Sequence, residues 1–488
     1  QQQPASHAPR AITAVDYARA ERFMAGQVAS LVLRSGVRPA WLPDERFWYR
    51  NALAEGASEF ILVDPRRGTR VPAFDHAAVA AALSKAAGKT FDAKRLPFTA
   101  IAFSADGKTI AFDADGKAWS YDPKTKVCKS TGNARPPPPP TRPGAPGFRG
   151  GPPAPPPPRK PPPLPPHHHP LPPARPMGPG PAGFGGAPES LSPDGKLAAF
   201  IRNDNLWIRD VATKAERQLT NDGIKDFGYA TDNAGWTRSD RPVLAWSLDS
   251  KRIATFQQDQ RGVGEMYLVE TKVGHPALQA WKYPLPGDEV VTMIQRVVIH
   301  LDGPRVVRLK MPPDQHRSTY TDDIKSRGGL WDDVAWSADG SRIVFVSTSR
   351  DHKREIVREA NPETGEVRDV FEEKVDTFFE SGPGRPNWRY LDASGEIIWF
   401  SERDNWGQLY LYDLKTGALK NQITSGEGNA SQIVRIDEKA RTIWFVGVGK
   451  EKGRDPYFRH FYRVGFDGRG QTLLTPEDAD HEIALSPS

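Results

Sequence analysis

The stretch AWSADGSRIVF, Ala335–Phe345, pairs a short apolar run with a polar turn and a second, strongly β-prone run. Asp-Gly supplies the positive φ a tight reversal needs, and a serine or aspartate at the start of the turn can bond back to the backbone. The pattern recurs as AFSADGKTIAF from Ala102, SLSPDGKLAAF from Ser190 and AWSLDSKRIAT from Ala245, with looser copies at YLDASGEIIWF from Tyr390 and RIDEKARTIWF from Arg435. A third apolar run such as LWIRD or LYLYD usually follows, so each copy predicts a small antiparallel meander.

Copies recur at about 45 to 55 residues where nothing intervenes, the range of four-stranded propeller blades. Counting an irregular opening unit from Ala40 to Asp64, there are seven repeats. One gap, between Ser247 and Ser337, holds extra strand-like runs, EMYLVET and IQRVVIHLDG, as if one unit were enlarged. A lone meander cannot bury both faces, whereas a ring of them can. The fold class predicted is all-β, a β-propeller. An open sandwich explains the turns but not their recurrence. The final residues Ile483–Ser488 read as the opening strand of an eighth unit, giving an eight-bladed type with seven repeats and a first strand.

Two helices are predicted outside the repeats. Residues 12–33 alternate apolar and polar side chains at helical spacing, with Thr13 to cap the start and Gly36 to end it, and an alanine-rich stretch spans Asp75–Ala87. The tract Arg135–Pro181 carries about half of the 47 prolines and cannot donate to a sheet, so it reads as an exposed, disordered insertion. The predicted division is a helical lead-in over 1–36, two blades over 37–134, the proline-rich insertion over 135–188 and the remaining blades over 189–488.

Bulk properties exclude several classes. No run of eighteen apolar residues could span a bilayer. The net charge of +6 is carried largely by the proline-rich tract and forms no basic groove with interleaved aromatics, so nucleic acid is not expected as a partner. The single cysteine, Cys128, precludes an internal disulfide. The start at Gln1, without an initiator Met, reads equally as a trimmed end or as a terminus processed by signal-peptide removal, and the latter predicts a periplasmic or secreted location.

Chemistry-bearing motifs are few. His167–His169 sit within the proline tract and make no preorganised metal site, and Asp113–Gly116 reads as a hairpin turn rather than a calcium loop. Asp226-Phe227-Gly228 copies a kinase tripeptide without its companions. Trp207, Trp246, Trp336, Trp399 and Trp444 lie in strand runs and are expected to pack between units. No Gly-x-Ser-x-Gly elbow and no recognisable Ser-Asp-His order occurs, so no catalytic residue, cofactor or metal is expected in this chain.

Four stretches are nonetheless specific: WFSERDNWGQLYLYDLKTG (Trp399–Gly417), FRHFYRVGFDG with LLTPEDADHEIALSPS, WKYPLPGDEVV, and the opening DYARAERF with WLPDERFWYR. Together they resemble the N-terminal propeller of dipeptidyl peptidase IV-type serine peptidases of the prolyl oligopeptidase family. The resemblance implies an eight-bladed propeller that shields an α/β-hydrolase domain, peptide substrates cut after a proline-like residue, and frequent homodimers. It implies for this chain substrate gating rather than catalysis; a free-standing peptide-binding propeller is the competing reading.

One departure stands out. The family anchors the substrate amine with two adjacent glutamates, and the matching window here, Asp226–Ser247, has none. Asp232 and Asp240 are the later acidic candidates for substrate binding, with Arg238 beside them opposing an amine. Glu372-Glu373 lies in another repeat and reads as a solvated turn. Altered amine recognition, tolerant of longer or blocked N-termini, is therefore expected.

Overall fold

A computed structural model of the chain describes residues 13–24, 32–34, 37–104, 106–134, 189–231, 241–271, 273–303, 305–315, 333–379 and 388–486. These fall into two compact units, one holding the described residues up to 134 together with 482–486, the other holding 189–481. The predicted proline-rich insertion lies outside the described residues.

The first unit contains two four-stranded antiparallel sheets, Ala40–Pro72 and Ala102–Asn133. Between them runs the helix His76–Ala87, placed as predicted. Asp75 caps it by accepting the Ala78 N–H at 3.0 Å, and Gly88 ends it at φ 70°. Val79, Ala80 and Leu83 on its inner face join Phe60, Phe98, Phe112 and Trp119 in one buried cluster. Asp115 and Gly116 form a two-residue reversal with φ of 53° and 75° between paired strands, the hairpin expected at that site.

The leading helix is shorter than expected, Ala14–Glu21, with a turn at 22–24. Thr13 does cap it, its N–H and hydroxyl both donating to the Asp16 carboxylate at 3.0 and 2.8 Å. None of its residues is buried, and a short helix without a packed face has little to extend it.

Apart from one two-stranded hairpin, the second unit contains five sheets: Ser190–Gln218, Phe227–Gln315, Val334–Lys374, Arg389–Gln422 and Asn429–Leu473. Counted along the chain these are the third to seventh, and every predicted repeat corresponds to one sheet. The repeated turn has a common construction. Ser337 Oγ donates to Asp339 at 2.7 Å and accepts the Arg342 N–H at 3.0 Å, while Gly340 takes φ 69°. Ser104, Ser192 and Ser247 repeat both bonds. At Asp106, bonds from Ser104 and Lys108 hold the carboxyl at about 2.

Successive sheets of this unit stack face to face. Ala199, Ile208, Ile253 and Val297 bury together between the third and fourth, and Val346, Val357, Ile397 and Trp399 between the fifth and sixth. Trp246, Trp336 and Trp399 pack between sheets as expected: Trp246 donates to Ser190 at 3.3 Å and Trp336 to the Ala245 carbonyl at 3.1 Å, each reaching the preceding sheet. Gly417, at φ 72°, lets its turn touch the preceding sheet so closely that a Cβ would lie 1.9 Å from the Val370 carbonyl oxygen. Gly365 and Gly468 make similar approaches to Arg308 and Gln422.

Two expectations change. IQRVVIH is no extra segment, because Met293–His300 pairs along its length with Arg252–Asp259 as a regular strand of the fourth sheet. Only the exposed hairpin Glu265–Glu270 with Ala277–Lys282 is additional, forming its own two-stranded sheet. Residues 482–486 join no sheet, so the first strand of an eighth unit is not formed. A strand exists through its ladder, and no described residue supplies one there.

Candidate functional site

The predicted substrate residues Asp232, Arg238 and Asp240 lie outside the described residues, but the frame that carries their segment is well defined. Phe227–Tyr229 and Ala245–Trp246 both pair with one edge of the Arg252–Asp259 strand. The chain leaves this edge after Ala230, whose N–H donates to the Phe256 carbonyl at 2.9 Å. It returns at Val243, whose N–H donates to the Ala230 carbonyl at 3.0 Å. Thr255 Oγ1 fixes the return by donating to the Val243 carbonyl at 2.8 Å. Ala230 and Val243 are thus tied together on one sheet edge.

Behind that root the strand carries buried polar side chains. Gln257, Gln258 and Gln260 are all buried. Gln258 Oε1 accepts from Thr231 at 3.1 Å, but its Nε2 has no partner, and neither has Gln257 Oε1. An unmet buried polar atom costs about 1–3 kcal/mol, and strands seldom retain one without a use. Sequence reasoning passed over FQQDQ at Phe256–Gln260, which stands where AWSADGSRIVFVSTSR carries VSTSR, also polar.

Facing Gln258 across the ladder is Gly228. A Cβ there would meet Thr231 Cγ2 at 2.9 Å and Asp204 Cβ at 3.2 Å, so Thr231 and Asp204 pack directly against the glycine. Asp204 sits at the tip of a two-residue hairpin of the third sheet, Asn203 and Asp204 having φ of 49° and 61°. Its carbonyl accepts the Tyr229 N–H at 2.9 Å and docks the tip against the root. Beside it, Tyr229 donates to Asp222 at 2.7 Å and Arg308 bonds both, at 2.9 Å to Asp222 and 3.1 Å to the phenol oxygen. Burial and the bond to Asp222 push the Tyr229 phenol well above its ordinary value.

The solvated-turn reading of Glu372-Glu373 is corrected. Both lie on the strand Val367–Lys374, where alternation sends one side chain out and the next inward. Glu372 pairs outward with Arg354 and Lys374. Glu373 is buried and accepts from Trp399 at 2.7 Å, from Arg403 at 2.6 Å and from the Ser401 hydroxyl. Its oxygens are committed to tying the fifth sheet to the sixth. Arg296 is equally committed, to Asp314 at 2.7 Å and Asp333 at 2.9 Å between the fourth and fifth sheets. Among the described residues no group of three or more His, Cys, Asp or Glu side chains could hold a metal ion, and no helix is long and apolar enough to cross a membrane. His167–His169 lie outside those residues.

Residues 187–488, which carry all five stacked sheets and the glutamine-lined root, match the family described as the dipeptidyl peptidase IV (DPP IV) N-terminal region. The chain belongs to that family. Among curated relatives, a "Probable dipeptidyl-aminopeptidase B" of Aspergillus fumigatus is 26% identical over 314 residues, covering 58% of this chain and 32% of the relative. The protein of the same name from Arthroderma gypseum is 26% identical over 326 residues, covering 60% and 33%. The crystal structure of Porphyromonas gingivalis dipeptidyl peptidase 4 superposes with a TM-score of 0.50 at 15% identity, over 93% of this chain and 55% of that one. The last likeness is one of fold. The chain spans about a third of the length of the curated relatives it matches.

Proposed function

We propose that the chain is the substrate-gating and positioning part of a secreted or periplasmic serine peptidase acting on peptides. Its sheets are the blades of a β-propeller, and a Ser-Asp-His triad resides in an α/β-hydrolase domain elsewhere in a longer protein. The observation that carries this reading is the family match over 187–488 together with the stacking of antiparallel sheets of four to six strands across that range. The names of the relatives, dipeptidyl-aminopeptidase and dipeptidyl peptidase, support peptides as the substrate class.

The physical role follows from enclosure. A wall of sheets around a nucleophile admits extended peptides and excludes folded proteins, and water exclusion strengthens the donors that stabilise a tetrahedral oxyanion. The edge of the strand Arg252–Asp259 where Ala230 and Val243 are tied, with buried glutamines behind it, is where such a wall can engage one end of a substrate. The preference for a proline-like residue is part of the proposal and rests on the family resemblance. The test is peptide hydrolysis by the longer protein and by this chain alone. Serine-reagent-sensitive turnover confined to the longer protein is expected, and the same turnover by the chain alone would overturn the reading.

A further inference from the structure

We infer that His460 and His481 form a binding site for a divalent transition-metal ion of the Zn²⁺, Ni²⁺ or Cu²⁺ class. The site goes beyond the proposed peptidase role and does not depend on it. After the last strand of the seventh sheet, the chain continues along the edge of the strand Arg459–Gly465. The Leu474 N–H donates to the Phe461 carbonyl at 2.7 Å, Thr475 Oγ1 accepts the Phe461 N–H at 2.9 Å, and the His481 N–H donates to the Arg459 carbonyl at 3.1 Å. Residues 474–481 are thus a strap along the strand. Arg459 pins it through Asp480 at 2.9 and 2.7 Å, and Arg454 through the Pro476 carbonyl at 2.8 Å. The strap brings the His481 ring to 5.4 Å from the His460 ring, centroid to centroid.

Hydrogen bonds decide which nitrogen of each ring keeps a lone pair. His460 Nδ1 lies 3.2 Å from the Thr475 carbonyl oxygen, and His481 Nε2 lies 3.2 Å from that of Glu477. A carbonyl only accepts, so these two nitrogens carry the proton and the lone pairs fall to His460 Nε2 and His481 Nδ1. His460 is 2% exposed, and its Nε2 has no partner among the described residues. An imidazole whose N–H is held by a backbone carbonyl is oriented and made more basic for a metal at its other nitrogen. The spacing agrees, since two imidazoles bound to one ion at about 2.0–2.1 Å with a tetrahedral angle have centroids about 5 Å apart. Glu477, Asp478, Asp480 and Glu482 flank His481, against Arg454 and Arg459, and leave the strap net acidic. Imidazole nitrogens select Zn²⁺, Ni²⁺ or Cu²⁺ over Mg²⁺ and Ca²⁺. Two histidines fall short of the three protein ligands of a catalytic site, so water completes the shell and the ion clamps the strap to the strand. The expectation of a chain without a metal is revised accordingly.

The test is calorimetric titration of the full chain with ZnCl₂, NiCl₂ and MgCl₂. His167→Ala, His168→Ala and His169→Ala are combined in the parent, so that the adjacent histidines of the proline tract do not compete. Zn²⁺ and Ni²⁺ should each bind at one equivalent and raise the thermal unfolding midpoint, while Mg²⁺ should do neither. His460→Asn and His481→Gln each retain an amide N–H for the Thr475 or Glu477 carbonyl while removing the nitrogen that bears the lone pair. Each should weaken Zn²⁺ binding at least about tenfold and leave the metal-free unfolding midpoint near that of the parent. Should the buried His460→Asn fail to fold, the half-exposed His481→Gln decides alone. No binding to the parent, binding that survives His481→Gln unchanged, or equal binding of Mg²⁺ overturns the site, and each of these results leaves the peptidase reading untouched.

Discussion

Replacing Gly417 by alanine tests whether sheet-to-sheet contact, rather than turn geometry alone, fixes that glycine. Two costs add at this position. Alanine at φ 72° pays about 1–2 kcal/mol for the left-handed conformation. Its Cβ would also lie 1.9 Å from the Val370 carbonyl oxygen, where ordinary contact begins near 3.4 Å, so the fifth and sixth sheets must part locally by about 1.5 Å. Overpacking of this kind costs about 1–3 kcal/mol more, giving a total of about 2–5 kcal/mol. Gly395 supplies the control, since it has φ 62° but nothing within 4 Å of its Cβ, and Gly395→Ala should cost only about 1–2 kcal/mol. Urea unfolding followed by tryptophan fluorescence measures both, with unchanged m-values confirming comparable denatured states. Equal destabilisation by the two substitutions would refute the close-packing argument.

Glu396 should tune acid stability. It is buried, and although burial pushes its carboxyl up, bonds from Arg441 and Lys420 outweigh that and hold it at about 2, against an ordinary 4.5. Because the folded value is depressed, its contribution is fully present above pH 4.5 and is lost as pH falls towards 2; a Glu396→Gln variant should show a flatter decline of unfolding free energy across that window, and an unchanged slope would contradict the assignment. Ser337→Ala removes the acceptor for the Arg342 N–H at a position 1% exposed, and should cost about 1–3 kcal/mol in the same urea assay; a loss under about 0.5 kcal/mol would show that the turn does not depend on that hydroxyl.

The repeats were legible because each depends on a local device. Ser-x-Asp-Gly closes its own turn through Oγ and a positive φ, so AWSADGSRIVF announces two paired strands without reference to anything distant. The helix His76–Ala87 was legible for the same reason, with Asp75 and Gly88 marking its ends in the sequence itself. What stayed hidden depends on register and on partners far along the chain. Glu373 reads as surface charge until the strand's alternation turns it onto Trp399, and nothing near Asp204 in sequence signals that Gly228 and Gln258 lie beside it. EMYLVET and IQRVVIHLDG look alike as β-prone runs. Only the pairing of Met293–His300 with Arg252–Asp259 separates a regular strand from the free-standing hairpin.

The most direct test of the gating role is to present one cleavable N-terminal sequence to the longer protein in two forms, as a free peptide and as the rigid terminus of a stably folded domain. Enclosure predicts efficient cleavage of the peptide and at least about a 100-fold lower kcat/KM for the folded form, recovered when that domain is unfolded. Equal cleavage of both forms would contradict the account, since a chain that admits folded termini does not gate access to the site.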